Sequence, residues 1–241
     1  MMKKILPLCG ALVCVLPNAF AASNINNLGT LNQTEFRALS EDLGSALSYK
    51  PLAPATPLGP LGFDMGFELS QTNMAKSTAV WSKINNGGGS VSNLDLPKFH
   101  IDKGLPFGID VGAFYAKDPT SNIALYGGEL RYALLGGGIT EPAVAIRGAF
   151  TRLSGVSQLA LDTRSVDLSV SKGFAMLTPY AGVGMVWVSS TANVGGLAGE
   201  NFTQNKVFAG ADLNLGFSNL DAEWDRTGAA SSLSLKLGFR F

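Results

Sequence analysis

Beyond residue 21 the chain has no cysteine, because its two, Cys9 and Cys14, both fall in the first stretch. Residues 22–241 therefore hold no disulfide, reactive thiol or Cys-ligated metal. Histidine is almost as scarce. His100 stands alone, which excludes a His-cluster metal centre, and neither metal nor cofactor is expected. Charge is low at 15% and balanced, 18 basic against 18 acidic residues, so there is no basic footprint for nucleic acid. After the first twenty residues no run of 18 apolar residues occurs, which excludes a membrane-spanning helix. Glycine is plentiful at 29.

The first residues account for the cysteines. Lys3 and Lys4 precede an apolar stretch, residues 5–16, too short to span a bilayer, and Ala19-Phe20-Ala21 is a small-residue cleavage site. Residues 1–21 are expected to be a signal peptide for export; a retained anchor is the alternative. Leu8 and Val13 precede the cysteines, against a lipid-modified cysteine. Cleavage would leave 16 basic residues (18 less Lys3 and Lys4) against 18 acidic.

An exported, apolar chain with no spanning helix can satisfy its backbone in lipid as a closed barrel. The sequence alternates as that requires. In LGFDMGFELSQ, Leu61, Phe63, Met65, Phe67 and Leu69 share one face while Asp64, Gly66, Glu68 and Ser70 share the other. Alternating segments recur at 61–71, 94–103, 107–117, 123–135, 141–152, 160–172, 179–189, 204–217, 219–227 and 231–241. The second, sixth and seventh are the least regular. The expectation is an all-β, antiparallel up-and-down transmembrane barrel of about ten strands (8–12) over residues 61–241. With the C-terminus in the periplasm, the connections on that side (104–106, 136–140, 173–178, 218) are short. The opposite ones include two long loops, 72–93 and 190–203, rich in Gly, Asn and Ser. Outward aromatics sort by height: Tyr115, Tyr126, Phe150, Trp187 and Trp224 near the outer rim, and Phe107, Tyr132, Phe217, Phe239 and Phe241 near the inner. These form two interfacial girdles in contact with outer-membrane lipid.

The final strand alternates Leu233, Leu235, Leu237, Phe239, Phe241 and ends on an aromatic. This ending, Leu237-Gly238-Phe239-Arg240-Phe241, resembles the C-terminal signal that the assembly machinery of the outer membrane recognises in bacterial barrel proteins. The resemblance implies a Gram-negative outer-membrane location and an encounter with that machinery during biogenesis.

The inward positions are polar. They carry Asp64, Glu68, Asp102, Asp110, Glu129, Asp167, Asp212, Asp221, Glu223 and Asp225, with Lys98, Arg131, Arg147, Lys206, Lys236 and Arg240. Hairpin folding predicts three cross-strand pairs: Glu129–Arg147 about Gly138, Asp110–Arg131 near Thr120, and Glu223–Lys236 near Ala229. They can be a structural network that fills a narrow barrel or the lining of an acidic pore. Inward glycines such as Gly112, Gly127, Gly182, Gly184 and Gly210 favour open space.

Ahead of the strands, residues 22–60 form a separate segment. Asn32 caps a helix over Gln33–Leu47 with Glu35 three residues on, and Phe36, Leu39, Leu43 and Leu47 share one face. Pro51, Pro54, Pro57 and Pro60 then space an extended tether. A ten-stranded ring is about 18 Å across its backbone, and a helix with side chains needs roughly 10–12 Å. The helix can plug the barrel, close its periplasmic mouth or dock on a partner, and the tight fit favours docking or partial insertion.

Enzyme motifs are weak. His100 and Asp102 lie two apart on one strand face, and a structural His–Asp hydrogen bond is the expectation. Omptin proteases use His and Asp at their rim and outer-membrane phospholipases and deacylases a His-x-Ser; neither pattern is completed. Gly87-Gly88-Gly89 lacks the lysine and helix of a phosphate loop. The reading is a non-enzymatic outer-membrane barrel with a passive or structural role, or a narrow solute channel. The alternative is a surface interaction or adhesion barrel using loops 72–93 and 190–203, and the third is a barrel enzyme.

Overall fold

The computed structural model describes residues 24–85, 89–138 and 140–241. The expected signal peptide and its cleavage site lie outside these residues, as do the Asn-Gly at 86–87 and Gly88. Ten strands follow two short N-terminal elements, a 3-10 turn at Leu28–Thr30 and helix α1 at Gln33–Leu47. They are β1 (Phe63–Asn73), β2 (Asn93–Gly104), β3 (Ile109–Lys117), β4 (Ala124–Gly136), β5 (Ala143–Ser154), β6 (Leu159–Ser171), β7 (Leu177–Ala192), β8 (Glu200–Asn214), β9 (Ser218–Thr227) and β10 (Ala230–Arg240). Each pairs antiparallel with its sequence neighbours, and β10 returns to β1 to close the ring. Closure leaves no unpaired edge. At the seam Phe63 and Phe241 exchange backbone hydrogen bonds of 2.7 and 3.0 Å, and their rings stack with centroids 5.9 Å apart.

Alternation puts a polar face inward and an apolar face outward, as the pleat demands. Leu130, Ile146, Val166, Leu168, Val183, Val207, Leu233, Leu235 and Leu237 are exposed on the exterior. All ten girdle aromatics are exposed, although Phe217 lies in the turn between β8 and β9 and not on a strand. Register sets Tyr115 beside Tyr126, and Phe150, Arg164 and Trp187 in one row across β5, β6 and β7.

Three local expectations change. The 72–93 connection is not only loop, because Thr78–Ile84 forms a second helix, α2, with Val80, Trp81 and Ile84 buried. The 190–203 loop shrinks to 193–199, since β7 and β8 continue pairing up to Ser190 and Glu200. Phe107 falls outside β3: it lies in a tight turn at 106–108 with φ of 67°. A bulky residue held there is strained.

Candidate functional site: the occupied lumen

Helix α1 begins as its sequence dictates. Asn32 accepts from the Glu35 N–H at 2.9 Å, and the Glu35 carboxylate accepts from the Asn32 N–H at 3.0 Å. Its apolar face finds its partner inside the ring. Phe36, Leu39, Leu43 and Leu47 are buried in one cluster with inward-facing wall residues Leu94, Leu96, Phe114, Leu125, Leu161, Val186 and Val188. α1 packs against β1, β5, β6, β7, β8 and β10, so it is enclosed rather than docked. Small residues make the fit. A Cβ on Gly44 would come within 2.7 Å of Val188 Cγ2. Ser40 bonds Ser190 at 2.8 Å, and Ser45 donates to the Thr227 carbonyl at 2.7 Å.

Residues ahead of α1 close the mouth at the 74–92 end of the barrel. The Ile25 N–H donates to Asn122 at 3.0 Å, the Leu28 N–H to Gln158 at 2.9 Å, and the Asn26 N–H to the Ile84 carbonyl at 3.1 Å. Asp42 of α1 secures α2 by accepting from the N–H groups of Lys76 and Ser77 and from Ser77 Oγ, each at 2.8 Å. Burial raises the Asp42 carboxyl above its ordinary value, against the pull of these bonds. Arg37 holds Glu41 and Glu200 at 2.7 and 2.8 Å, Lys76 pairs with Glu41, and Lys83 with Glu35. The Lys83 hydrogen bond lowers the Glu35 carboxyl. Burial opposes a similar fall at Glu41, but Lys76 and Arg37 prevail.

Below α1 the tether runs on through the charged half of the lumen. Here the wall grips backbone rather than side chains. The carbonyls of Tyr49, Leu52 and Pro54 accept from Lys206, Lys236 and Arg131 at 2.6, 2.6 and 2.7 Å. Glu223 accepts from the Leu52 N–H and Asp110 from the Leu58 N–H, at 3.0 and 3.1 Å. Lys50 adds a buried ion pair with Asp225 at 3.1 Å. An extended proline-spaced segment has no internal hydrogen bonds, so its polar backbone has to be satisfied by the wall once water is displaced. A cavity of about 20 Å³ beside Leu47, Tyr49, Lys98 and Phe114 is room for roughly one water.

The wall charges pair among themselves too. Arg131 grips Asp110 through two nitrogens at 2.7 and 2.9 Å, in the register expected. Arg147 meets Glu129 at 2.5 Å, but diagonally. Its direct cross-strand neighbour is Arg131, because the β4–β5 turn lies further along than Gly138, with Gly136 paired to Ala143, and the bulge between Ala133 and Leu135 takes back only one place. The Glu223–Lys236 pair does not form. The β9–β10 turn is the two-residue Gly228-Ala229, so Lys236 faces Asp221, which it contacts at 3.0 Å, and it reaches Asp64 at 3.3 Å. Gly228 supplies the positive φ, 60°, that so tight a turn requires. His100 also departs from expectation: its nearest carboxylate is Glu68, at 2.7 Å across β1–β2, while Asp102 is 3.6 Å away. The inward glycines do not leave a bore. Each seats a neighbour's side chain: Phe114 at Gly127, Phe208 at Gly182, Tyr180 at Gly210, Asp102 at Gly112 and Asp167 at Gly184.

No protein-family profile matches the chain, and no curated protein does. Among solved structures the chain is similar to small outer-membrane barrels. The N-terminal β-barrel domain of Pseudomonas aeruginosa OprF is 12% identical with a TM-score of 0.33, over 76% of this chain and 99% of that one. The KdgM porin, solved with disordered oligogalacturonate, is 6% identical with a TM-score of 0.40, over 74% and 99%. The β domain of the Bordetella autotransporter BrkA is 10% identical with a TM-score of 0.42, over 75% and 99%.

Proposed function

We propose that this chain is a non-enzymatic outer-membrane barrel whose lumen is closed by its own residues 24–60, and that solute passes only when this segment yields. The observation that carries the reading is the grip of Lys206, Lys236 and Arg131 on the tether carbonyls. Conductance in planar bilayers, with and without residues 24–60, tests it: silence in the intact chain and current in the deletion support it. The role of the closed form is structural. The adhesion alternative loses ground because α2 and residues 193–199 pack over the plug instead of projecting freely. Ile84 receives the Asn26 N–H, and Ala198 exchanges hydrogen bonds with Gln33.

The orientation follows from the connections, with the 74–92 rim outward. An epitope tag in 84–90 should be accessible on whole cells, and one in 136–138 should not. Protease cutting at the second site on intact cells would invert the orientation.

The C-terminal aromatics carry a second expectation. Removing Phe241, or replacing Phe239 and Phe241 with Ser, should impair outer-membrane assembly, because lipid-facing aromatics and the Phe63–Phe241 stack at the seam are lost. A normal heat-modifiable barrel in the outer membrane after both changes would refute the reading of Leu237, Phe239 and Phe241 as an assembly signal.

A further inference from the structure

The exterior carries a groove that the plugged lumen does not explain. It opens across β6, β7 and β8 with a volume of about 510 Å³, lined by Asp162, Arg164, Trp187, Ser189, Asn201 and Thr203. That volume is within the usual range of small-molecule sites. Register orders the lining in two rows. Asp162, Ser189 and Asn201 form the upper, and Arg164, Trp187 and Thr203 the lower. Immediately below, Val166 and Met185 are exposed, then Leu168 and Val183.

The charges in this groove are unequal. Arg152 of β5 binds Asp162 through two nitrogens at 2.8 and 3.0 Å, neutralising it. Arg164 is exposed and has no hydrogen bond or ion pair among the described residues. One unpaired guanidinium therefore stands at girdle height, beside an indole, with hydroxyl and amide groups above it and apolar wall below. We propose that this groove binds the phosphorylated sugar headgroup of a lipid in the surrounding leaflet. Arg164 takes a phosphate oxygen pair, for which a guanidinium fork is suited. Ser189, Asn201 and Thr203 bond sugar hydroxyls, and the acyl chains run down past Val166, Met185, Leu168 and Val183. The proposal rests on the reading of the chain as a membrane barrel, since only then does lipid meet this face.

The test uses the intact chain purified in detergent and native mass spectrometry. The probes are lipid A, phosphatidylglycerol as a phospholipid without the sugar, and inorganic phosphate. Lipid A should remain bound to the unaltered protein, and Arg164→Gln should weaken it about tenfold, the loss of roughly one charge-assisted contact. Arg226→Gln, which changes another rim arginine outside the groove, should leave it unchanged. Equal weakening by both substitutions, an unaffected Arg164→Gln, or displacement of lipid A by inorganic phosphate at equal concentration overturns the proposal. Phosphatidylglycerol binding as tight as lipid A overturns the sugar part and with it the assignment. A chain that folds but stays out of lipid vesicles overturns the membrane reading as well. Loss of the Arg164 dependence alone overturns only this site.

Discussion

Deleting residues 24–60 should turn a silent barrel into a conducting, cation-preferring one. With the segment gone, the inward charges that remain are ten carboxylates, from Asp64 to Asp225, against Lys98, Arg131, Arg147, Lys206, Lys236 and Arg240. That acidic excess raises the local concentration of cations. The deletion also exposes Leu94, Leu96, Phe114, Val186 and Val188 to water, so the emptied barrel should be less stable as well as open. A second variant keeps the test decisive if the deletion folds poorly. Ser40 and Ser190 lie with their oxygens 2.8 Å apart, so the double substitution Ser40→Cys, Ser190→Cys sets two thiols side by side for oxidation across the helix–wall contact. The oxidised form should remain silent. A folded deletion barrel with no current, or steady current through the oxidised double variant, would mean that the segment is not the seal.

Arg147→Ala should destabilise the barrel by about 3–5 kcal/mol, the usual cost of stranding one member of a buried ion pair. The Arg147 side chain is 2% exposed and that of Glu129 3%, with the two 2.5 Å apart. The Arg147 guanidinium also lies 5.6 Å from the centre of the Tyr49 ring. Removing it leaves Glu129 without its partner where water does not reach. The measurement is the urea midpoint of unfolding from lipid vesicles. Adding Glu129→Ala to Arg147→Ala should restore part of the loss, because no charge is then stranded. Conductance should stay at background, since α1 and the tether remain in place. A loss under about 1 kcal/mol is what a solvated pair gives. That result would mean that the lumen is wet and the closed reading is wrong.

The exterior and the face assignments were legible because a two-residue period leaves little freedom: the inward-assigned charges are buried except Arg240, which is partly so. α1 was equally plain, since Asn32, Glu35 and the Phe36–Leu47 spacing act locally. Its placement was harder, although a trace of it was in the sequence. The three least regular segments became β2, β6 and β7. Their inward positions near one rim are Leu94 and Leu96, Leu159 and Leu161, and Val186 and Val188. The pattern breaks there in two ways. In β7 both faces are apolar, with Met185 and Trp187 outward and Val186 and Val188 toward α1, while in β2 and β6 the sense inverts, with Asp95, Asp162 and Arg164 outward and the leucines toward α1. The registers of Lys236 and Arg147 were missed because the β9–β10 turn, and the β4–β5 turn whose later position the bulge offsets by only one place, each leave the partner two places away, which polarity alone does not reveal. Lys50 and the tether carbonyls carried no pattern at all, since backbone acceptors are the same for every residue.

The route of the chain has a directional consequence. Residues 24–32 sit at one mouth, while the tether leaves through the other to begin β1 at Phe63. The segment is thus a rope fastened at the bottom of the tube it fills. While the β1–β10 seam holds, it can leave toward the Phe63 end only by drawing whatever precedes residue 24 down the whole bore. During folding the same constraint becomes one of timing. Either the last seam is sewn around a segment already in place, as a sleeve is wound on a mandrel, or the leading end is threaded through a finished ring.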